Sequence, residues 1–261
     1  MKSKICNKFN KAAKEYDQYA KVQIESSNYL AKIINNALSN FEVKSIIDIG
    51  AGTGKTTLAI KEYYPEANCT LLDISEKMLK QAESNIKDVN IIVADAEKYE
   101  FTEIYDLCIS NLSVQWFENL KNFLAKIKNH CRYFAFSTLL DSSFNQYKNM
   151  FIKKNITPPT FEYFNEMNLI KLIKRYGKII QKDIISYNEY FPNAVSAARQ
   201  FKQTGANLSP IETNKNMSVL LSNKQKIALE YDIFFVIFRT ISSVARKNHS
   251  FSGPRGASMV S

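Results

Sequence analysis

Between residues 44 and 139 short apolar runs alternate with amphipathic stretches, and this alternation limits the possible folds more than any other feature. The runs are KSIIDIG (44–50), CTLLDIS (69–75), NIIVADA (90–96), YDLCISNL (105–112) and RYFAFSTL (132–139). Segments such as EKMLKQAESNI and NLKNFLAKIKNH lie between them, with apolar residues three or four apart. Buried strands separated by helices require a parallel sheet covered on both faces. Ahead of this core, Phe9, Ala12, Ala13, Tyr16, Ala20, Ile24, Leu30, Ile34 and Leu38 keep helical spacing, which predicts a helical cover over residues 1–43.

After Leu140 the rhythm breaks. Residues 141–177 have helical spacing, a Pro158-Pro159 interruption and a Tyr176-Gly177 stop, and are expected to form a helical lid insertion. An extended segment follows at 178–191, then a helix from Asn193 to Gln203 ended by Gly205, and strand character returns at 231–242. Two late strands joined by a helical excursion would complete a mostly parallel seven-stranded sheet with an antiparallel edge. The main domain is expected to run from 44 to 246, and the polar residues 247–261 to form a disordered tail.

Four cysteines, Cys6, Cys69, Cys108 and Cys131, stand far apart with no C-x-x-C, so neither a zinc site nor a redox dithiol is expected. Met1 to Ala20 carries a charge every few residues, and the longest aliphatic and aromatic run, Ile233 to Phe238, is far below the roughly 20 residues of a membrane span. A cytoplasmic protein with reduced thiols, acting without a membrane, is the expectation. The 35 Lys+Arg against 25 Asp+Glu leave a net charge of +10, carried mainly by Lys since only six residues are Arg. That surplus fits nucleic acid, an anionic membrane or an acidic protein partner, or background composition.

The strongest local signal is Asp48-Ile-Gly50-Ala-Gly52-Thr-Gly54, set where a buried strand turns into a helix. A phosphate-binding P-loop would need glycine where Ile49 stands, and the dinucleotide fingerprint would need its third glycine at Lys55. The pattern that is filled is the acidic G-x-G-x-G turn of class I S-adenosylmethionine-dependent methyltransferases, whose fold is an α/β Rossmann-like sheet. In such sheets ligands lie beyond the carboxyl ends of the strands, and those ends hold Asp48, Asp73, Asp95 and Asn111. Gly50, Gly52 and Gly54 would let the backbone approach the cofactor. Asp73, followed by Ile74, is expected to take the ribose hydroxyls, and Asp95, followed by Ala96, the adenine amino group. Asn111 would open towards the sulfonium, with Gln115 and Trp116, the single tryptophan, in the loop beyond it. Carboxylates around a pocket suit a cationic cofactor and repel a polyphosphate. No metal is expected.

Further motifs narrow the class. The chain resembles the malonyl-acyl-carrier-protein O-methyltransferases of biotin synthesis from about residue 5 to about 246. The matching pieces are Phe9-x-x-Ala12-Ala13-x-x-Tyr16-Asp17-x-x-Ala20-x-x-Gln23, the glycine turn, Asn111-Leu-x-x-Gln115-Trp116, and Phe136-Ser-Thr138-Leu139. Later come Ala197-x-Arg199-x-x-Lys202-x-x-Gly205-Ala206 and Tyr231-x-x-Phe234. The resemblance implies methyl transfer to the free carboxylate of malonyl-acyl carrier protein, an acidic protein partner met without nucleic acid, by an enzyme expected to be a monomer. Thr53 stands where relatives usually have Pro, and Ile49-Gly50-Ala51 where many have Ala-Gly-Cys.

A carboxylate is already anionic at neutral pH, so no general base is needed, and the two histidines, His130 and His249, lie outside the motifs. Arg199 could hold the carboxylate with two bonds. Tyr16 could close the cofactor pocket and direct a hydroxyl at the substrate, and Lys202, one turn from Arg199, could meet the phosphopantetheine or the carrier protein. Alternatives are a carboxyl methyltransferase of a free small acid such as aconitate, a quinone-ring C-methyltransferase, and a non-catalytic cofactor-binding subunit.

Overall fold

The structure, a computed structural model, describes residues 2–160, 162–204 and 214–241. Seven strands form one sheet: β1 (Ser45–Ile49), β2 (Asn68–Asp73), β3 (Val89–Val93), β4 (Tyr105–Ser110), β5 (Cys131–Leu139), β6 (Gly177–Phe191) and β7 (Ile227–Thr240). Their order is β3-β2-β1-β4-β5-β7-β6. Strands β1 to β5 pair in parallel, whereas β7 runs antiparallel to both β5 and β6. The strand order reverses between β1 and β4, where such sheets open a crevice for a ligand.

Alternate residues along each strand feed two cores. Ile46, Leu71, Leu107 and Phe235 face one side, against α3 (Lys21–Ala37) and α4 (Lys55–Lys61); Ile47, Leu72, Cys108 and Phe234 face the other, against α6 (Leu120–Ile127) and α8 (Glu166–Ile173). Burial on both faces explains why the first strands read as continuous apolar runs. The helix starts are capped by short polar side chains. Ser75 accepts from Met78 N at the head of α5 (Glu76–Asn85), and Asn119 from Asn122 N at α6.

Residues 1–43 split into three helices with different duties. α1 (Lys2–Ala12) and α2 (Tyr16–Tyr19) lie over the carboxyl ends of the strands, while α3 belongs to the core, with Leu30 and Ile34 fully buried. The stretch 141–177 also differs from a lid over the site. α7 (Asn145–Ile152) buries Tyr147 and Phe151, and α8 buries Leu169 and Ile173 beneath the sheet as the crossover helix leading into β6. Its apolar stripe faces the sheet, and sequence spacing reports the stripe without reporting its partner. α9 (Ala194–Gln203) and α10 (Asn214–Ser222) make the excursion between β6 and β7. The expected tail, 247–261, and the expected stop at Gly205 lie outside the described residues. No helix among the described residues is long and apolar enough to cross a membrane.

Candidate active site

The glycine turn sets the site. Gly50, Gly52 and Gly54 have φ of 72°, 55° and 80°, a region that a Cβ disfavours. A Cβ on Gly50 would stand 1.9 Å from Ser113 Oγ, so only glycine lets the turn pass that loop. At Gly52 a Cβ would meet nothing within 4 Å, because this residue borders a cleft enclosing about 920 Å³, partly open to solvent. Gly50 N and Ala51 N both donate to Leu72 O, at 2.7 and 3.1 Å, tying the turn to the end of β2. Gly54 leaves the cleft and instead packs on α5, with Ile86 and Ala82 at its back.

Asp73 closes β2 at the floor of the cleft. Its Oδ2 accepts from Gly52 N at 2.9 Å and its Oδ1 from Ser75 N at 2.7 Å. Burial pushes its carboxyl upwards, and these backbone donors oppose the shift. Each oxygen keeps a lone pair, the requirement for taking a pair of vicinal hydroxyls. Asp95 lies two residues past β3, and Lys2 Nζ stands 3.5 Å from it and 2.6 Å from Glu97. Ile74, Met78, Ala94 and Ala96 supply apolar lining, joined by the rings of Phe9, Trp116 and Phe117. Phe9 meets the Trp116 ring edge-on at 5.8 Å.

Asp48 lies inside β1, away from the lining. Its Oδ2 accepts from Thr57 Oγ1 at 2.7 Å, while Oδ1 has no partner among the described residues. Burial raises its pKa to about 7, the Thr57 hydroxyl opposes this, and the charge of Asp73 adds to it. Asn111 borders the cleft, yet its amide is engaged by protein four times. Oδ1 accepts from Ser26 Oγ and Ser137 Oγ, and Nδ2 donates to Gln23 O and Ser27 Oγ. It staples α3 across β4 and β5. Gln115 serves the loop in the same way, donating to Leu112 O and accepting from Thr138 Oγ1, and does not border the cleft.

Tyr16 lines the cleft from α2, and burial, with Asp17 and Asp73 nearby, raises its hydroxyl well above the usual range, so it stays neutral. Arg199 and Lys202 are on the exposed side of α9 and do not border the cleft. The inward polar residue of that helix is Gln200, beside buried Ala197 and Phe201. Its Nε2 donates to Tyr19 O at 2.7 Å and faces Glu189, whose Oε2 also accepts from Tyr231 Oη at 2.8 Å. Burial raises the Glu189 carboxyl, against the pull of Tyr231, Gln200 and Lys21. This knot joins β6, β7 and α9 to the end of α2, one turn from Tyr16.

Several structural residues escape sequence reasoning. Asp17 accepts from Thr53 Oγ1 at 2.7 Å and pairs with Lys55 Nζ at 2.9 Å, latching α2 to the glycine turn. Lys126 Nζ donates to the carbonyls of Ala96, Glu97 and Tyr99 and so fixes the loop after β3. The single forewarning is Asp17 within the Tyr16-Asp17 motif; nothing local marks Lys126, Glu189 or Gln200.

The donor set fits an adenosyl sulfonium cofactor: paired carboxylate oxygens for a ribose, an apolar slot for a base, acidic surroundings for a cation, and a glycine open to the ligand. Among the described residues no cluster of His, Cys, Asp or Glu is set to hold a metal.

Comparison with known proteins agrees with this. Residues 46–133 match a family described as a methyltransferase domain. The malonyl-[acyl-carrier protein] O-methyltransferase 2 of Coxiella burnetii is 30% identical over 252 residues, covering 92% of this chain and 97% of the relative. The malonyl-[acyl-carrier protein] O-methyltransferase of Neorickettsia risticii is 27% identical over 212 residues, covering 80% and 84%. A plantazolicin methyltransferase solved in complex with SAH shares the fold with a TM-score of 0.51 at 14% identity, covering 91% and 96%.

Proposed function

The chain belongs to the family of malonyl-[acyl-carrier protein] O-methyltransferases, and from that premise we propose that it methylates the free carboxylate of malonyl-acyl carrier protein, the first step towards the pimeloyl part of biotin. S-adenosylmethionine, when bound, supplies an electrophilic methyl group on a sulfonium. Asp73 would hold its ribose hydroxyls, Asp95 and the Ala96 segment its adenine, and the Gly50 to Gly52 backbone its methionine part. Asp48 holds Thr57 and the turn from behind, while Asn111 and Gln115 shape the wall through the protein bonds described above.

The acceptor carboxylate is an anion at neutral pH and attacks without losing a proton. Among the described residues, His130 sits at the amino end of β5, with Nδ1 3.1 Å from Glu103 O. The protein's part is to place a carboxylate oxygen in line with the methyl, which contributes on the order of 7–11 kcal/mol in favourable cases. Tyr16 presents a neutral hydroxyl that donates to the second carboxylate oxygen. α1 and α2 cover one side of the cleft, with Phe9 and Tyr16 in its lining. Arg199 and Lys202, exposed on α9, suit the phosphopantetheine phosphate or the acidic carrier protein better than the carboxylate itself.

The relationship to the Coxiella protein over nearly the whole chain carries the substrate assignment. Incubation with labelled S-adenosylmethionine and malonyl-carrier protein, malonyl-coenzyme A or aconitate tests it. Label on the malonyl thioester is expected, and label on aconitate alone overturns the reading. Growth of a biotin-requiring strain lacking this step, once supplied with this chain, places the activity in the pathway.

A further inference from the structure

α2 is a single turn of four residues, too short to be stable by itself, and no side chain caps its amino end. Tyr16, its first residue, therefore stands wherever the contacts of α2 with the rest of the chain put it. Those contacts come as two clamps. In one, Asp17 accepts from Thr53 Oγ1 at 2.7 Å and pairs with Lys55 Nζ at 2.9 Å, which fixes α2 to the glycine turn. In the other, Tyr19 O, the carbonyl of the last residue and one that α2 cannot satisfy internally, accepts from Gln200 Nε2 at 2.7 Å. The first clamp is a pivot, and the second sets the direction in which α2 points from it.

Gln200 is itself aimed. Its Nε2 lies 3.2 Å from Glu189 Oε2, an oxygen that also accepts from Tyr231 Oη at 2.8 Å, so one amide hydrogen is held on the carboxylate and the other points at Tyr19. α9 does not need this amide for its own fold. Asn193 caps it by accepting from Ser196 N at 2.9 Å, and Ala194, Ala197 and Phe201 bury its apolar side. Burying an amide costs free energy unless it is bonded, and the Gln200 bonds run to α2 and to the Glu189 knot. Tyr16 belongs to the same neighbourhood: after burial, Glu189 and Tyr163, it is the last of the groups that raise the Tyr231 hydroxyl.

We propose that Gln200 is a positioning residue for methyl transfer. Through Tyr19 O and α2 it sets where the Tyr16 hydroxyl stands against the acceptor carboxylate, and it borders the cleft nowhere itself. The role rests on the function proposed above, with Tyr16 as the donor to the acceptor, and it gives the β5-β7-β6 half of the sheet a hand in a group that lines the cofactor cleft.

Double-mutant kinetics separate this from a packing role. Full-length protein is assayed with labelled S-adenosylmethionine and malonyl-carrier protein as the unaltered chain, Gln200→Met, Tyr16→Phe and the two combined; methionine keeps the length of the side chain and loses the donor. Gln200→Met is expected to lower kcat about tenfold or more, the scale of a misplaced reacting group, with S-adenosylhomocysteine affinity unchanged by calorimetry. The combined variant should be no slower than Tyr16→Phe alone. Gln200→Lys, which keeps donors for Tyr19 O and Glu189, should recover most of kcat. If Gln200→Met is unfolded by circular dichroism, Gln200→Asn, too short to reach Tyr19 O, replaces it. Losses that multiply in the combined variant, an unchanged kcat, or a cofactor affinity that falls as far as kcat each overturn the assignment. Hydrogen exchange of the peptide holding residues 16–20 needs no acceptor: it should quicken in Gln200→Met and slow again in Gln200→Lys, and equal exchange in all three proteins also overturns the assignment. An unaltered protein that labels no malonyl thioester refutes the proposed function instead, and exchange then still decides whether Gln200 holds α2.

Discussion

The two halves of the sheet solve the same problem, how to hold polar groups at the edge of a buried core, by different means. On the β3-β2-β1-β4 side the solution is local: glycines at positive φ, a carboxylate on backbone amides two and twenty-one residues away, and a serine cap. On the β5-β7-β6 side it is distant. Glu189 is bonded to Tyr231, forty-two residues on, and Gln200 to Tyr19, 181 residues back, beside an aromatic group in which Phe144 touches Tyr163, Phe201 and Tyr231. The first half binds what every methyltransferase of this type binds. On the proposed function, the second half, with α9, is where the acceptor and its carrier would be met.

The sharpest way to separate the halves is to remove the aromatic group's centre. Phe144 is fully buried and stands just before α7 with φ at 60°. Phe144→Ala is expected to lose about 3–5 kcal/mol of stability, the usual cost of deleting a buried aromatic ring, read by denaturant unfolding. The folded fraction should still bind S-adenosylhomocysteine normally. A comparable loss of cofactor affinity would show that the halves are one mechanical unit.

Asp73→Ala is the counterpart in the first half. It removes the acceptors for the ribose and frees Gly52 N and Ser75 N. Calorimetry should show cofactor affinity falling on the order of a hundredfold, from one or two charged hydrogen bonds. Methylthioadenosine should fall with S-adenosylhomocysteine, because both probes carry the ribose.

This contrast also explains what could be read from the sequence alone. The strand-helix alternation, the glycine turn, Asp73 and Asp95 are legible because each acts through neighbours within a few residues or through the fixed geometry of parallel strand ends. Asn111 and Gln115 were legible as loop residues but not in their duty: an amide can serve a ligand or a neighbouring helix, and Ser26, Ser27 and Ser137, which claim Asn111, lie 85, 84 and 26 residues from it. The helices of 141–177 show the same limit. Their apolar stripes were visible, but whether they face a site or the underside of a sheet depends on strands not yet formed at that point in the chain. Arg199 is legible as a scarce residue type, whereas Gln200, the buried polar residue of the same helix, carries no mark.

A smaller effect concerns Asp48, which belongs to the first half but is hidden from the ligand. Its folded pKa, raised to about 7 by burial from an ordinary 3.8, means the native state holds a proton that the unfolded chain releases. Stability from this group is therefore complete below the unfolded value and declines as pH rises towards the folded one. The expected decline is about 2 kcal/mol between pH 5 and pH 7, visible as a falling midpoint in thermal scans. Asp48→Asn should flatten that slope. A slope left unchanged would mean that Asp48 is already ionised throughout, with Oδ1 solvated.

The smallest expected effect sharpens the comparison most on the acceptor side. Arg199 and Lys202 are exposed, so neither is needed for packing, and a charge there acts on a partner through solvent. Arg199→Ala is expected to raise KM for malonyl-carrier protein by about three- to tenfold, roughly 1 kcal/mol, with kcat and cofactor affinity unchanged. The difference should shrink as salt is added, since the Debye length falls from about 10 Å at 0.1 M to about 3 Å at 1 M. KM for malonyl-coenzyme A separates the two sources of negative charge: if it rises equally, Arg199 meets the phosphopantetheine arm common to both; if it holds, Arg199 meets the acidic carrier surface. A fall in kcat at every salt concentration would instead return Arg199 to the carboxylate, and would require α9 to turn inward when the acceptor binds, carrying Gln200 and its hold on Tyr19 with it.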